Sequence, residues 1–185
     1  MKVKLLSETG HLEAFAAMRL SRRSTGDSTD TVGPEDLKLA RKLLIADDAE
    51  SGDPHSVALR MIQYTFDITA PLYWWKQMDR YSVGKTQASD STMYNIMSRA
   101  LTADDFTPNV DSRSIEVLNI YIKNKMFQEV IENLPCGYLQ RRIIQVSLPT
   151  LIRILHQRGS HKLAEWQEFR NALVRQTAYD ELVFV

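Results

Sequence analysis

The stretch APLYWWKQMDRYSVGKTQASDSTMY, residues 70–94, holds two tryptophans, three tyrosines, an arginine, two lysines, two glutamines and a run of hydroxyl residues. Taken as a helix, its three- and four-residue spacing puts Tyr73, Gln77, Arg80, Tyr81 and Gly84 on one face, and Leu72, Trp75 and Asp79 on another. The first face pairs planar hydrogen-bonding groups with flat rings. A planar heterocycle bearing phosphates wants that pairing: ring contact from the aromatics, bidentate donors from Arg and an amide from Gln. The segment that follows adds Lys85, Thr86, Ser89, Ser91 and Thr92, whose hydroxyls and loop N–H groups are ordinary phosphate ligands. The alternative is a surface helix with amphipathic aromatics followed by a solvated loop.

A second group lies in residues 138–170. Leu151, Ile154, Leu155 and Arg158 share a helix face, so Arg158 continues an apolar stripe. A guanidinium there must find an acceptor, open into a cleft or snorkel to water. Arg141 and Arg142 are adjacent, and in an extended chain only one of them faces inward.

Other chemistries find no support. His11, His55, His156 and His161 have no metal-ligand spacing, and Cys136 is the one cysteine, so no metal site is expected and no intrachain disulfide can form. Cys136 follows Pro135 without an activating context. The chain has no glycine-rich phosphate loop and no serine-hydrolase signature. An enzyme of this composition would leave the difficult step to a bound cofactor. Lys plus Arg and Asp plus Glu number 23 each, so net charge argues against a general nucleic-acid binder. No apolar run reaches membrane-spanning length and no signal peptide opens the chain, so a cytoplasmic protein is expected.

The elements that must position these residues fit one domain, residues 1–185, of α+β class with helices packed on a small sheet. Residues 2–6 read as a strand, and Thr9 as the N-cap of a helix placing Leu12, Phe15, Ala16 and Leu20 on one side. Residues 21–34 are a loop, and a helix follows over 35–45. Residues 61–68 alternate, with Ile62, Tyr64, Phe66 and Ile68 facing one way. Thr69 then caps a helix with Pro71 in its first turn, ended by Gly84. Ile115, Leu118, Ile122, Met126 and Val130 mark one helix over 112–132. Residues 139–148 read as strand or short connector, Pro149 opens a helix to Arg158, and Leu163, Trp166, Phe169 and Leu173 line the last one.

RMIQYTFDITAPLYWWKQMDRY resembles the flavin-dependent thymidylate synthases, whose strand and helix lead into a signature of the form RHRxxSxNExSxRY. Gln77 and Arg80 match the Gln before the signature and its first Arg. With one residue inserted, Ser91 and Tyr94 match its later Ser and final Tyr. Leu134–Pro135, LHQR ending at Arg158, and AEWQEFR resemble later family segments, and AAMRLS near the N-terminus resembles an AARVS-like segment. The likeness runs in order along nearly the whole chain. It departs at Tyr81 and Ser82, where the signature has His and Arg, at Ala88 and Ser89 for Asn-Glu, at Met93 for the last Arg, and at Arg60–Met61 for a Glu-His. The chain thus looks like a divergent branch of the kind phage genomes carry.

The resemblance implies a small antiparallel sheet with packed helices and a homotetramer with sites between subunits. It implies bound FAD and a deoxypyrimidine nucleotide such as dUMP, with methylenetetrahydrofolate as carbon donor and NADPH as reductant. In that chemistry reduced flavin delivers a hydride and no protein nucleophile attacks the pyrimidine. Gln77 and Arg80 would hold nucleotide and flavin, Arg158 the uracil edge, and Ser89 and Ser91 the phosphate, with Arg141 or Arg142 standing in for a phosphate-binding arginine. Ser21, His55, Tyr81 and Ser82 fall on the flavin side. Two function classes follow: a flavin-dependent one-carbon transferase, or a nucleotide-binding homologue that has lost flavin chemistry.

Overall fold

The computed structural model describes residues 1–20, 31–46 and 54–184. Four strands, β1 (Lys2–Thr9), β2 (Gln63–Pro71), β3 (Lys85–Ser89) and β4 (Leu139–Ser147), form a small antiparallel sheet in the order β1-β2-β4-β3. The alternation over 61–68 fixes the register of β2: Ile62, Tyr64, Phe66, Ile68 and Ala70 are all 0% exposed. With the helices below, this is the expected α+β fold. Among the described residues no helix is long and apolar enough to cross a membrane.

Two compact units emerge, their division falling inside β2 after Asp67 and inside β4 after Ile143. One unit contains residues 3–67, 81–86 and 144–185. It carries helices α1 (His11–Leu20) and α2 (Pro34–Ala46) and a 3-10 turn over Pro54–Met61. β1 runs through Thr9 rather than stopping at residue 6, so Thr9 is no N-cap. Gly10 makes the turn at φ +85°, and a Cβ there would lie 2.0 Å from the Met61 carbonyl oxygen. α1 starts one residue later than expected and buries Ala14, Phe15 and Met18, leaving Leu12 and Leu20 exposed. β1 is an edge strand, and the Gln176 side chain partners it: Leu5 N–H donates to Gln176 Oε1 at 2.7 Å and Gln176 Nε2 donates to the Val3 carbonyl at 3.1 Å.

The other unit contains residues 1–2, 68–80 and 87–143. Its helices are α3 (Leu72–Met78), α4 (Thr92–Asn95), α5 (Ser112–Lys123) and α6 (Phe127–Asn133). Its core gathers Ile96, Leu101, Phe106, Leu118 and Val130. The expected single helix over 112–132 is two helices, because Lys125 between them adopts φ +58°. The stripe residues still point inward from both, with Ile115 and Ile122 packed on that core.

The remaining helices, α7 (Leu148–Arg158), α8 (Ala164–Gln176) and α9 (Asp180–Val183), belong to the first unit. α7 has Pro149 in its first turn, as expected, and buries Leu148, Leu151, Ile152, Ile154 and Leu155. α8 buries Trp166, Phe169, Ala172 and Leu173, with Trp166 and Phe169 edge to face and Phe169 against Phe66.

The opening stretch departs most from expectation. Thr69 belongs to β2, Pro71 is the N-cap, and α3 ends at Met78 instead of running to Gly84. Residues 85–89 are the strand β3 rather than a loop. All but Lys85 of its residues are exposed, so no inward apolar alternation announced it. Trp74 and Trp75 are 0% exposed, so the chain itself takes up the aromatic mass here, which therefore gives no argument for association.

Candidate functional site

Arg158, the last residue of α7, reaches Tyr81 and Trp166 within one unit. Its Nε donates to the Tyr81 hydroxyl at 2.9 Å. The guanidinium carbon lies 5.5 Å from the Tyr81 ring centroid and 5.4 Å from that of Trp166. The acceptor that a guanidinium on an apolar stripe requires is thus the Tyr81 hydroxyl, with the Tyr81 and Trp166 rings beside the cation. Among the described residues the two terminal nitrogens of Arg158 donate to nothing and remain a fork of parallel N–H groups. Nearby His161 takes the Leu163 N–H on its Nδ1 at 3.1 Å. Burial, then the charges of Arg158 and Lys162, push its imidazole below the ordinary value.

α7 also fixes the Tyr81 turn. Ser147 N–H donates to the Gly84 carbonyl at 2.9 Å, and Thr150 Oγ1 donates to the Val83 carbonyl at 3.0 Å. Gly84 adopts φ +71°, and a Cβ on it would approach Thr150 Oγ1 to 2.4 Å. Tyr81 is 5% exposed and Ser82 is exposed. The short α3 takes both off the helix face on which Tyr81 was expected.

A second network occupies the other unit, and Arg142 is its hub. Its Nη1 donates to Asp79 Oδ1 at 2.8 Å and its Nε to Gln140 Oε1 at 2.9 Å, with the guanidinium 4.5 Å above the Trp75 ring. Asp79 Oδ1 also accepts Gln87 Nε2 at 2.8 Å. Trp75 Nε1 donates to the Gln140 carbonyl at 2.9 Å, and Gln140 Nε2 reaches Thr92 Oγ1 at 3.0 Å. Arg142 is therefore the inward member of the arginine pair, committed to holding α3 and the Ser91–Thr92 turn to β4.

Arg141 points to the opposite face, where it lines a cavity of about 410 Å³ with Asp90, Tyr138, Arg99 and Asp105. Burial raises the Asp90 carboxyl despite the Arg141 N–H it accepts and the charges of Arg141 and Arg142. Burial and the charges of Asp90 and Asp105 raise the Tyr138 phenol. Ser91 caps α4, its Oγ accepting the Tyr94 N–H at 3.2 Å, while Ser89 is exposed at the end of β3. Gln77 is half-buried on α3, and Arg80 is exposed just beyond its end.

The expected site residues thus fall into two sets, Arg158 with Tyr81 and Ser82, and Gln77, Arg80, Ser89, Ser91, Arg141 and Arg142. Ser21 lies outside the described residues, as does the side chain of His55. Sequence reasoning missed Trp166, which its helix periodicity marks only as core, and the partnership of Asp79 and Trp75 with Arg142. The latter had a signal, because Trp75 and Asp79 are one helical turn apart on the same face. Arg80, exposed in one unit, offers a guanidinium to a phosphorylated ligand, and Ser82, exposed in the other, offers a hydroxyl.

No family model and no curated protein matches the chain. Solved structures do. The flavin-dependent thymidylate synthase ThyX from Helicobacter pylori, complexed with FAD and dUMP, superposes with TM-score 0.80 at 20% identity, covering 100% of this chain and 98% of that one. A second Helicobacter pylori ThyX structure with FAD and dUMP gives 0.79 at 18% identity, covering 100% of both chains. The UMP/dUMP methylase PolB from Streptomyces cacaoi, bound with 5-Br dUMP, gives 0.59 at 15% identity over 83% of this chain and 76% of that one. The likeness drawn from sequence therefore holds for the fold: this chain has the fold of the flavin-dependent thymidylate synthases.

Proposed function

We propose that this chain, as one domain, binds a deoxypyrimidine monophosphate and FAD and transfers a one-carbon unit to the pyrimidine, in the manner of dUMP to dTMP conversion. The observation that carries this reading is Arg158, held between two aromatic rings with its terminal fork open, in a chain that shares its whole fold with enzymes solved with FAD and dUMP. The terminal N–H donors can reach a carbonyl oxygen of a uracil edge, O2 or O4, the acceptors that flank its N3–H. Arg158 orients that ring. Gln77 and Arg80 flank nucleotide and flavin, Ser89 and Ser91 meet the phosphate, and Arg141, which lines the cavity beside Asp90, adds the cation. Ser21, His55 and Ser82 belong to the flavin side on the family resemblance, whereas Tyr81, buried against Arg158, serves the nucleotide side.

FAD, when bound, supplies the hydride that completes the methyl group, with methylenetetrahydrofolate as carbon source and NADPH as reductant. The chain's own part is binding and orientation. Cys136, exposed and 3.4 Å from Lys76 Nζ, has no part in it. The assembly is a homotetramer, for which the exposed Val83 (73%), Met93 (57%) and Tyr94 (85%) offer apolar contact surface. Its setting is the cytoplasm, of a phage-infected host on the resemblance to phage-type branches.

A second reading, a nucleotide binder without flavin chemistry, draws on Ser82: a hydroxyl replaces a fixed cation, a difference of roughly 1.5–3 kcal/mol. Titrating apo-protein with FAD while following flavin fluorescence separates the two. Saturable quenching at micromolar FAD, weakened by Arg80→Ala, supports the transferase. No saturable change at millimolar FAD, with or without dUMP, leaves only the nucleotide site.

A further inference from the structure

We propose that Tyr81 is the positioning residue for Arg158, setting the direction of the guanidinium fork, and this rests on the nucleotide-binding reading above. The Tyr81 phenol accepts the Nε–H at 2.9 Å and fixes rotation about the end of the arginine side chain. Trp166, 1% exposed on α8, stands against the guanidinium at 5.4 Å. Among the described residues no carboxylate pairs with Arg158. That choice of partners matters chemically. A carboxylate would compete with an acceptor-rich ligand for the terminal nitrogens, whereas the Tyr81 hydroxyl takes only Nε and the Tyr81 and Trp166 rings take the guanidinium plane.

The holding is rigid because both ends of the clamp are tied to α7. Ser147 and Thr150 in and before its first turn grip the backbone of Val83 and Gly84, and Arg158 ends it. The Tyr81–Gly84 turn is therefore tied to the start of α7 through its backbone and to the last residue of α7 through the Tyr81 hydroxyl. Only glycine at 84 lets the turn dock so closely, since any Cβ would meet Thr150 and Ser147 at 2.4 and 2.8 Å. With 5% of its surface exposed and a guanidinium beside its ring, Tyr81 offers little area for stacking on a planar cofactor.

The test is Tyr81→Phe, which keeps the ring and removes the acceptor. Three quantities are measured on the full chain: dUMP Kd, FAD Kd, and hydrogen exchange of the Arg158 Nε–H by nitrogen-15 NMR. The clamp predicts a dUMP Kd raised about fivefold, the worth of one net hydrogen bond. It also predicts faster Nε–H exchange and an unchanged FAD Kd; a merely structural role would weaken both ligands together with thermal stability. Unchanged exchange and dUMP Kd overturn the proposal, as does a rise in FAD Kd alone. If wild-type protein bound no dUMP, the nucleotide reading would fall, and the exchange comparison would still decide whether Tyr81 holds Arg158.

Discussion

The Tyr81 hydroxyl accepts a hydrogen bond from Arg158 Nε at 2.9 Å, across 77 positions of sequence. The two residues come from opposite halves of the chain, and only the packing of the Tyr81 turn on α7 brings them together. The guanidinium is thereby oriented before any ligand arrives, so its ordering entropy is met by folding rather than by binding.

Arg158→Ala should therefore cut stabilisation by nucleotide to half or less. A ligand at a hundredfold excess over its Kd stabilises by roughly 2.7 kcal/mol. Losing a charge-assisted contact removes about 1.5–3 kcal/mol of binding, a tenfold or greater rise in Kd. Thermal melting with and without dUMP measures it, and an undiminished shift in the variant would remove Arg158 from the site.

The adjacent arginines should behave oppositely. Arg142→Ala strips Asp79, Gln140 and Trp75 of a shared partner and should destabilise the fold by about 1–3 kcal/mol. Arg141→Ala should raise the nucleotide Kd about tenfold, more than Arg142→Ala does. Urea unfolding and dUMP titration of both variants check this; a reversal would place the phosphate on the inner face of β4.

Much of this was legible in sequence, for physical reasons that differ by residue. β2 announces itself because Ile62, Tyr64, Phe66 and Ile68 must all enter one core, and period two is the only pattern that does so. Arg158 announces itself because a cation on an apolar stripe demands a partner. β3 was hidden because an exposed edge strand needs no apolar alternation. Tyr81 and Trp166 were hidden as a pair because their relationship is tertiary. Helical spacing put Tyr81 on a face of α3 that ends three residues earlier, at Met78.

The break between α5 and α6 yields a stabilising change. Lys125 holds φ +58°, a conformation that strains a side-chain-bearing residue by about 1 kcal/mol and glycine hardly at all. Lys125→Gly should raise stability by up to roughly 0.5 kcal/mol, net of the glycine's greater unfolded-state freedom. Lys125→Val should lower it. Equal melting temperatures for all three proteins would contradict the strain.

Stability should fall in acid through Asp36. Its carboxyl accepts Arg19 Nε at 2.9 Å and the Gly33 N–H at 2.8 Å. Burial raises its pKa, but the Arg19 and Gly33 hydrogen bonds and the Arg19 charge outweigh it, and the net shift is below 3.8. The unfolded chain thus binds a proton more readily, so this stability is present above the ordinary carboxylate pKa and is lost as pH falls through the depressed one. Asp36→Asn should unfold more easily at pH 7 and show a flatter decline below about pH 4. Urea melts at several pH values measure the slope, and parallel curves for variant and wild type would remove Asp36 as its source.

The central claim is one-carbon transfer to a deoxypyrimidine nucleotide with FAD bound. Its most direct test incubates the protein with dUMP, methylenetetrahydrofolate, NADPH and FAD and looks for dTMP by mass spectrometry. The account predicts dTMP that requires FAD and disappears in Arg158→Ala. No dTMP from protein shown to bind both FAD and dUMP would contradict it.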